Sequence, residues 1–110
     1  MTHTENSQRT IVVPDRVSMI HLLGHRDDVL RTLEERLAPT TIHVLGHRIT
    51  LTGPAAELDL AESLIGELID VVAEGEILTR DAVARAVDIA RAGVAHPHHA
   101  AAHRYFIEPR

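Results

Sequence analysis

Two copies of the tetrapeptide Leu-Gly-His-Arg bring together residue types suited to contact with phosphate groups. They occupy residues 23–26 and 45–48 of a chain of 110 residues. Glycine lets a backbone approach a ligand closely, arginine forks its N–H groups onto a phosphate or stacks on a base, and histidine is a further donor. The copies are a repeated binding element, a set of metal ligands or a coincidence, and the elements around them decide which.

A second group of histidines lies near the C-terminus, where its density is typical of metal binding. It comprises His96, His98, His99 and His103. No carboxylate joins them before Glu108, and no predicted element holds them in place, whereas metal sites need ligands fixed by their surroundings. His43 and His47 are too widely spaced in an extended hairpin to share a metal easily. We therefore predict no physiological metal site.

Two absent residue types exclude whole classes of chemistry. The sequence has no cysteine, which rules out a disulfide framework, a thiolate zinc site and a thiol nucleophile. All 11 basic residues are arginine, so no lysine is present to complete the P-loop pattern GxxxxGK(S/T), in which lysine reaches the β and γ phosphates. No spacing of serine, histidine and acid suggests a triad. We predict no catalytic residue and no enzymatic activity.

The charge is uneven along the chain. The net charge is −5, but residues 1–53 carry six arginines and six acids while residues 54–110 carry five arginines and ten acids. The first half is therefore the better face for a polyanion, with weak and salt-sensitive binding. The N-terminus lacks the apolar stretch of a signal peptide, and no run of 18 uncharged apolar residues occurs. We expect a soluble, cytoplasmic protein without a membrane partner.

The first third of the sequence predicts one strand and two helices. Thr10–Val13 is rich in β-branched residues and ends at a proline, which suits a short strand. Asp15 is then placed to cap a helix whose apolar residues at 17, 20 and 23 end at Gly24. Carboxylates at 27 and 28 are placed to cap a second helix, with leucines at 30, 33 and 37, that ends before a proline at 39.

The remainder predicts a hairpin and two longer helices. Thr41–Leu45 and Arg48–Thr52 alternate around Gly46-His47, the signature of a type II′ hairpin. That register pairs Val44 with Ile49 and Ile42 with Leu51 on one face. A helix follows over 55–73, and Thr79 caps a last helix that ends at residue 93. The order β-α-α-β-β-α plus one helix predicts a two-layer α+β domain, a three-stranded sheet with helices on one face.

This order and these motifs resemble a known RNA-binding fold. The stretches IVVPDRVSMIHLLGHRDDVLRTLEERL and GHRITLTGPAAELDLAESLIGELI are similar to the two halves of a type I KH domain, in which a GxxG loop joins the first two helices. More specifically, LLGHRDDVLRTLEERL, IHVLGHRITLTG and LTRDAVARAVDIAR together resemble the N-terminal region of PhoH-family proteins. This resemblance covers roughly residues 9–92 and implies a small RNA-binding module.

The resemblance also implies a division of the chain. We predict a disordered N-terminus over 1–8, a KH-like domain over 9–75, an additional C-terminal helix over 76–93 and a His-rich tail or linker over 94–110. Complete PhoH-like proteins continue into a P-loop ATPase domain associated with RNA metabolism, where ATP and magnesium are expected. Because this sequence has no P-loop, we expect no cofactor here. The chain is either a dissected PhoH protein or a stand-alone relative of its first domain.

The resemblance places the RNA site on the two Leu-Gly-His-Arg copies. In KH domains the GxxG loop and the hairpin loop lie across one groove, here with an aliphatic floor. The residues it implies are Gly24, His25, Arg26, Asp27, Arg31, His47 and Arg48. Asp27 replaces the second glycine of the loop, and its carboxylate competes for the N–H groups of the second helix and repels phosphate. We expect weak binding of single-stranded RNA.

Three alternatives to this RNA site remain. In the first, the loop at residues 24–27 is a plain helix-helix turn capped by Asp27, and His47-Arg48 is a solvated turn. In the second, the domain binds only proteins through the helix of residues 79–93. The partner would be an ATPase domain, an RNA-processing protein or a second copy of this chain. A DNA-binding helix-turn-helix over 16–37 is disfavoured because its second helix carries four carboxylates that would face DNA phosphates.

Overall fold

The structure, a computed structural model, describes residues 6–95. It is a mixed α+β domain in which one sheet is packed against helices, as the sequence predicts. The elements in chain order are β1 (Asn6–Val12), α1 (Met19–Leu23), α2 (Asp28–Arg36), β2 (Thr41–Leu45), β3 (Arg48–Pro54), α3 (Ala55–Ala73) and α4 (Arg80–Ala95). A short 3-10 turn, His25–Asp27, separates α1 from α2. Within the described residues, no helix combines the length and apolarity needed to cross a membrane.

The three strands form one antiparallel sheet in the order β1-β3-β2. The predicted hairpin register is confirmed, because Val44 pairs with Ile49 and Ile42 with Leu51. Gly46 has φ 60° and His47 is not among the residues with positive φ, as a two-residue turn with glycine first requires. The sheet thus presents one aliphatic face to the helices.

β1 begins earlier than the β-branched run indicates. It starts at Asn6 rather than Thr10, so residues 6–8 are strand and not part of a disordered N-terminus; residues 1–5 lie outside the described residues. The polar residues are held because Asn6 pairs with Pro54 and Ser7 with Gly53 at the end of β3. A long central strand gives backbone partners to residues whose side chains carry no strand signal.

Arg9 joins β1 to α3. Its Nη1 donates to Asp59 Oδ1 at 2.6 Å and to Glu62 Oε1 at 2.9 Å. These hydrogen bonds, the one to Asp59 first, raise the pKa of the Arg9 guanidinium above its ordinary value. Two exposed carboxylates of α3 therefore anchor the edge strand β1 to the helix layer.

The core is a single aliphatic cluster between the sheet and the helices. The apolar residues that recur at helical spacing along α3 are buried, with Ala61 at 0%, Ile65 at 2%, Leu68 at 0% and Val72 at 8% exposure. Among the described residues the core holds no aromatic side chain; the two aromatics of the sequence, Tyr105 and Phe106, lie outside these residues. Packing of Leu, Ile, Val and Ala is what holds the layers together.

Helix α4 is built into the same core. Thr79 caps it as predicted, since the Ala82 N–H donates to Thr79 Oγ1 at 3.1 Å. Leu78 and Val83 are buried on either side of this cap, the arrangement of a hydrophobic staple. The helix packs against α2 and α3. It continues to Ala95, two residues past the predicted end.

Arg91 fastens α4 to both neighbouring helices, and its loss should loosen that contact. Nη1 donates to Glu57 Oε1 at 3.2 Å and Nη2 to the Arg36 carbonyl at 3.0 Å, where α2 ends. We expect Arg91→Ala to lower the free energy of unfolding by about 1–2 kcal/mol, because both acceptors lose a charged donor. Thermal unfolding measures this. Arg80→Ala removes an exposed arginine that has no partner among residues 6–95 and should change stability by less than about 0.5 kcal/mol; equal losses would contradict the assignment.

Candidate functional site

Helix α1, which leads into the first Leu-Gly-His-Arg copy, is capped by Ser18 and not by Asp15. The Ser18 side chain accepts a hydrogen bond from the His21 N–H at 3.2 Å and caps α1, so the prediction that Asp15 caps this helix is wrong. Asp15 instead lies in a turn closed by the Val17 N–H donating to the Pro14 carbonyl. The predicted stripe is also shifted, because Leu22 is buried while Ile20 is 78% exposed.

The loop between α1 and α2 has an unusual backbone. Gly24 has φ 86° and ψ 173°, a region that only glycine occupies without strain. Arg26 and Asp27 both have left-handed values, with φ 53° and 60°. Three of the four residues 24–27 therefore have positive φ, and His25, Arg26 and Asp27 are exposed at the loop surface.

Asp27 does not cap α2, and that prediction is wrong. It occupies the N-cap position with φ 60° and ψ 28°, and its side chain makes no capping hydrogen bond. A capping side chain requires an extended backbone at this residue, and the left-handed conformation of Asp27 directs the carboxylate elsewhere. At the start of α2 the Asp27 and Asp28 N–H groups donate instead to the backbone carbonyls of Gly24 and His25.

Arg31 and Arg26 have different tasks in this loop. The Arg31 Nη1 donates to the Arg26 carbonyl at 2.5 Å and braces the loop from one turn inside α2. The Arg26 guanidinium is exposed and has no hydrogen-bond or ion-pair partner among the described residues. Of the two arginines predicted here, Arg26 is the one available to an external anion, and Arg31 is the one that holds it in place.

An apolar cleft opens beside this loop, between the first two helices and the edge strand β2. It is a narrow crevice, with a cavity volume of about 10 Å³ that is partly open to solvent. Its walls are entirely aliphatic, formed by Leu22, Leu23, Leu30, Leu33, Ile42, Val44, Ile49, Ile65 and Leu68. The sequence predicted an aliphatic floor, but it did not identify Leu22, Leu23 or Leu30 as its lining. The alternation of β2 was the available signal for the two strand residues.

The second Leu-Gly-His-Arg copy forms the turn of the hairpin between β2 and β3. Only residues 37–40 separate the end of α2 from the start of β2, and the hairpin turn is at the other end of β2. His47 is half-buried, its Nδ1 has no hydrogen-bond partner among residues 6–95, and its carbonyl accepts from the Val13 N–H at 2.7 Å. Arg48 is exposed and alternates with buried Ile49, which places it on the sheet face away from the cleft.

The predicted residues thus fall into two groups. Gly24, His25, Arg26, Asp27 and Arg31 lie together at the first loop, while His47 and Arg48 lie at the hairpin and are not among the residues that line the cleft. Within residues 6–95, no group of three His, Asp or Glu side chains could hold a metal ion. The group of histidines near the C-terminus, His96, His98, His99 and His103, lies outside the described residues.

These features define a small α+β domain with an aliphatic cleft, a strained glycine loop at one end of it and unpaired arginines nearby. Sequence comparison adds the family. The chain is 45% identical over 76 residues to PhoH-like proteins of Mycobacterium bovis and Mycobacterium tuberculosis, which covers 69% of this chain and 21% of each relative. It is 37% identical over 98 residues to the PhoH-like protein of Mycobacterium leprae, which covers 79% of this chain and 28% of that relative.

The chain is therefore a PhoH-family homologue that corresponds to a limited part of the family's proteins. It spans 21% to 28% of the length of the curated relatives it matches. No protein-family model matches the chain, and no solved structure matches it. The recognition made from the Leu-Gly-His-Arg motifs and the last helix is confirmed at the level of the family.

Proposed function

We propose that this domain binds single-stranded RNA along the cleft between α1, α2 and β2, as a non-catalytic RNA-binding or RNA-positioning module with a KH-like fold. One observation carries the proposal: three features occur together at one end of an aliphatic cleft. They are a sharply turned glycine loop, a start of α2 without a side-chain cap, and Arg26 with no partner among the described residues. Each of these features serves a different part of a nucleotide.

The cleft suits bases and the loop suits phosphate. Unstacked bases of single-stranded RNA bury their faces against apolar side chains, and Leu23, Leu30 and Val44 offer such a surface without aromatic rings. The loop's donor for phosphate oxygens is the Arg26 fork, because the Asp27 and Asp28 N–H groups at the start of α2 donate to the Gly24 and His25 carbonyls. Asp27 is exposed beside Arg26 and opposes phosphate by its charge, so binding is weak and depends strongly on salt.

No cofactor and no catalytic step form part of this function. ATP and magnesium belong to the P-loop ATPase domain that the PhoH resemblance implies, and the lysine of such a loop is absent from this sequence. The partners we propose are single-stranded RNA and an ATPase domain or RNA-processing protein that acts on the RNA held here. The proposed setting is the cytoplasm.

Arg26→Ala should weaken RNA binding, because it removes the one loop guanidinium that is free for phosphate. We expect a loss of about fivefold to tenfold in affinity for a short single-stranded RNA at ~50 mM salt. Fluorescence anisotropy with labelled RNA measures it. Arg80→Ala serves as the control, since it removes the same charge from an exposed arginine of α4 and should leave affinity nearly unchanged. Saturable binding that neither variant affects would contradict the placement of the site.

A second function with the same fold is favoured by one observation. Ile20 of α1 is 78% exposed and Ile77, before α4, is 87% exposed, and burying either side chain against a partner protein would be favourable. This alternative is a protein-interaction or dimerisation module without RNA binding. Light scattering across a range of concentrations distinguishes it, because a dimer that Ile20→Ser or Ile77→Ser dissociates, together with absent RNA binding, would favour the alternative.

A further inference from the structure

The described arginines divide into those that build the fold and those that are free. Arg9, Arg36 and Arg91 each form an ion pair with a carboxylate of α3 or α4. Three others in the first half of the chain, Arg16, Arg26 and Arg48, are exposed and have no side-chain partner among residues 6–95. Arg26 belongs to the site described above. Arg16 and Arg48 are not accounted for by the fold or by the cleft.

Backbone contacts place Arg16 at the hairpin end of the sheet, where Arg48 lies. Val12 pairs with Arg48, and the next residue, Val13, donates its N–H to the His47 carbonyl at 2.7 Å. The turn that carries Arg16 starts there and closes when the Val17 N–H donates to the Pro14 carbonyl at 2.9 Å. Since Val13 and Val17 are each 1% exposed, both ends of this turn are fixed by burial.

The surroundings of Arg48 leave its charge uncompensated. Its cross-strand neighbours on the outer sheet face are Val12 and Leu45, which are 68% and 73% exposed. Among the described strand residues no carboxylate lies on that face of the sheet, whose other positions are Asn6, Gln8, Thr10, Thr41, His43, Thr50, Thr52 and Pro54. Asp15 is the acid nearest along the chain to Arg16, and the two side chains form no ion pair. Arg48 therefore lies between two exposed aliphatic side chains with no carboxylate beside it, although the chain has a net charge of −5. This arrangement suits an anionic ligand that also has an apolar part.

We propose that Arg16 and Arg48 form a second phosphate-binding site, in which a longer single-stranded RNA leaves the cleft, passes the hairpin and rests a sugar or base on Val12 and Leu45. This inference rests on the proposed RNA-binding function and extends it. It assigns Arg16, which the motif did not include, and it gives Arg48 a place outside the cleft. A short RNA fills only the cleft, whereas a longer RNA contacts both sites.

RNA length separates the two sites in one experiment. Labelled oligouridines of about four and about 12 nucleotides are titrated by anisotropy against wild type, Arg16→Ala and Arg48→Ala at several salt concentrations. We expect each variant to weaken the longer RNA by about fivefold and to reduce its salt slope by ~0.7, the value for one single-strand phosphate contact. Affinity for the shorter RNA should remain that of wild type. Arg16→Lys should recover most of the loss, because it keeps the charge.

Two other outcomes have separate meanings. If wild type binds both RNAs and both variants bind the longer RNA like wild type, or lose affinity equally for both lengths, the second site is overturned and RNA binding in the cleft stands. If wild type binds neither RNA at ~50 mM salt, where phosphate contacts are favoured, the proposed function fails and this inference fails with it. Arg80→Ala, measured in parallel, shows that a length-specific loss is not the effect of net charge.

Discussion

Gly24→Ala should strongly destabilise the domain. An added Cβ would overlap Asp28 Oδ1 and lie 2.7 Å from Val29 Cγ2 and 2.8 Å from the Val29 backbone nitrogen. The backbone of α2 cannot withdraw cheaply, because Val29 is fully buried. The strain of an L-residue at φ 86° adds to this overlap. We expect a loss of about 3 kcal/mol in the free energy of unfolding, which lowers the melting temperature by roughly 15 °C in a chain of this size.

Two other glycines supply matched controls for Gly24. Gly46 also has positive φ, at 60°, but a Cβ there would meet nothing within 4 Å, so Gly46→Ala should cost only the strain, about 1 kcal/mol. Gly66 lies inside α3 with equally open space, and Gly66→Ala should stabilise by ~0.5–1 kcal/mol through helix propensity. Chemical denaturation measures all three. A Gly24→Ala protein as stable as Gly46→Ala would contradict the close approach of loop and helix.

Asp27→Gly should tighten RNA binding, although it changes a residue of the loop itself. The substitution removes a negative charge next to the proposed phosphate position and places glycine at a residue with φ 60°, where glycine has no steric cost. No capping hydrogen bond is lost, because the Asp27 side chain forms none. We expect a gain in affinity of about fivefold at ~50 mM salt, with stability unchanged or slightly higher.

Asp27→Asn separates charge from backbone strain in that gain. Asparagine removes the charge and tolerates the left-handed conformation about as well as aspartate. We therefore expect it to reproduce most of the gain in anisotropy measurements without the added stability in denaturation. A tenfold loss of affinity on Asp27→Gly would show that the carboxylate supports the ligand rather than opposing it, which would contradict the electrostatic part of the proposal.

The element order and hairpin register follow from local sequence patterns. Alternation around Gly46 determines which strand residues face the helices, and the period of 3.6 residues determines the buried stripes of α3 and α4. Thr79 was recognised as a cap because a polar side chain stands immediately before an apolar periodic run. These features depend on residues close together in the chain, so the sequence contains them directly.

The features that sequence patterns missed depend on tertiary contacts or on backbone angles. The start of β1 is set by the length of its partner strand, since residues 6–8 pair with 52–54. Asp27 has the residue type of a cap, but the left-handed turn that follows Gly24 turns its side chain away. The residue type alone favours capping, and only the backbone angle shows otherwise. The same applies to Arg16, whose position beside the hairpin comes from one long-range hydrogen bond.

The most direct test of the RNA site is a titration of the isotopically labelled domain with a short single-stranded RNA, followed by amide chemical shifts at ~50 mM salt. The proposal predicts progressive, saturable shifts in two segments, residues 22–31 around the loop and residues 42–44 of β2, which border the cleft. The acidic face of α3 should stay unperturbed. An absence of shifts, or shifts confined to α3 and α4, would contradict RNA binding in the cleft.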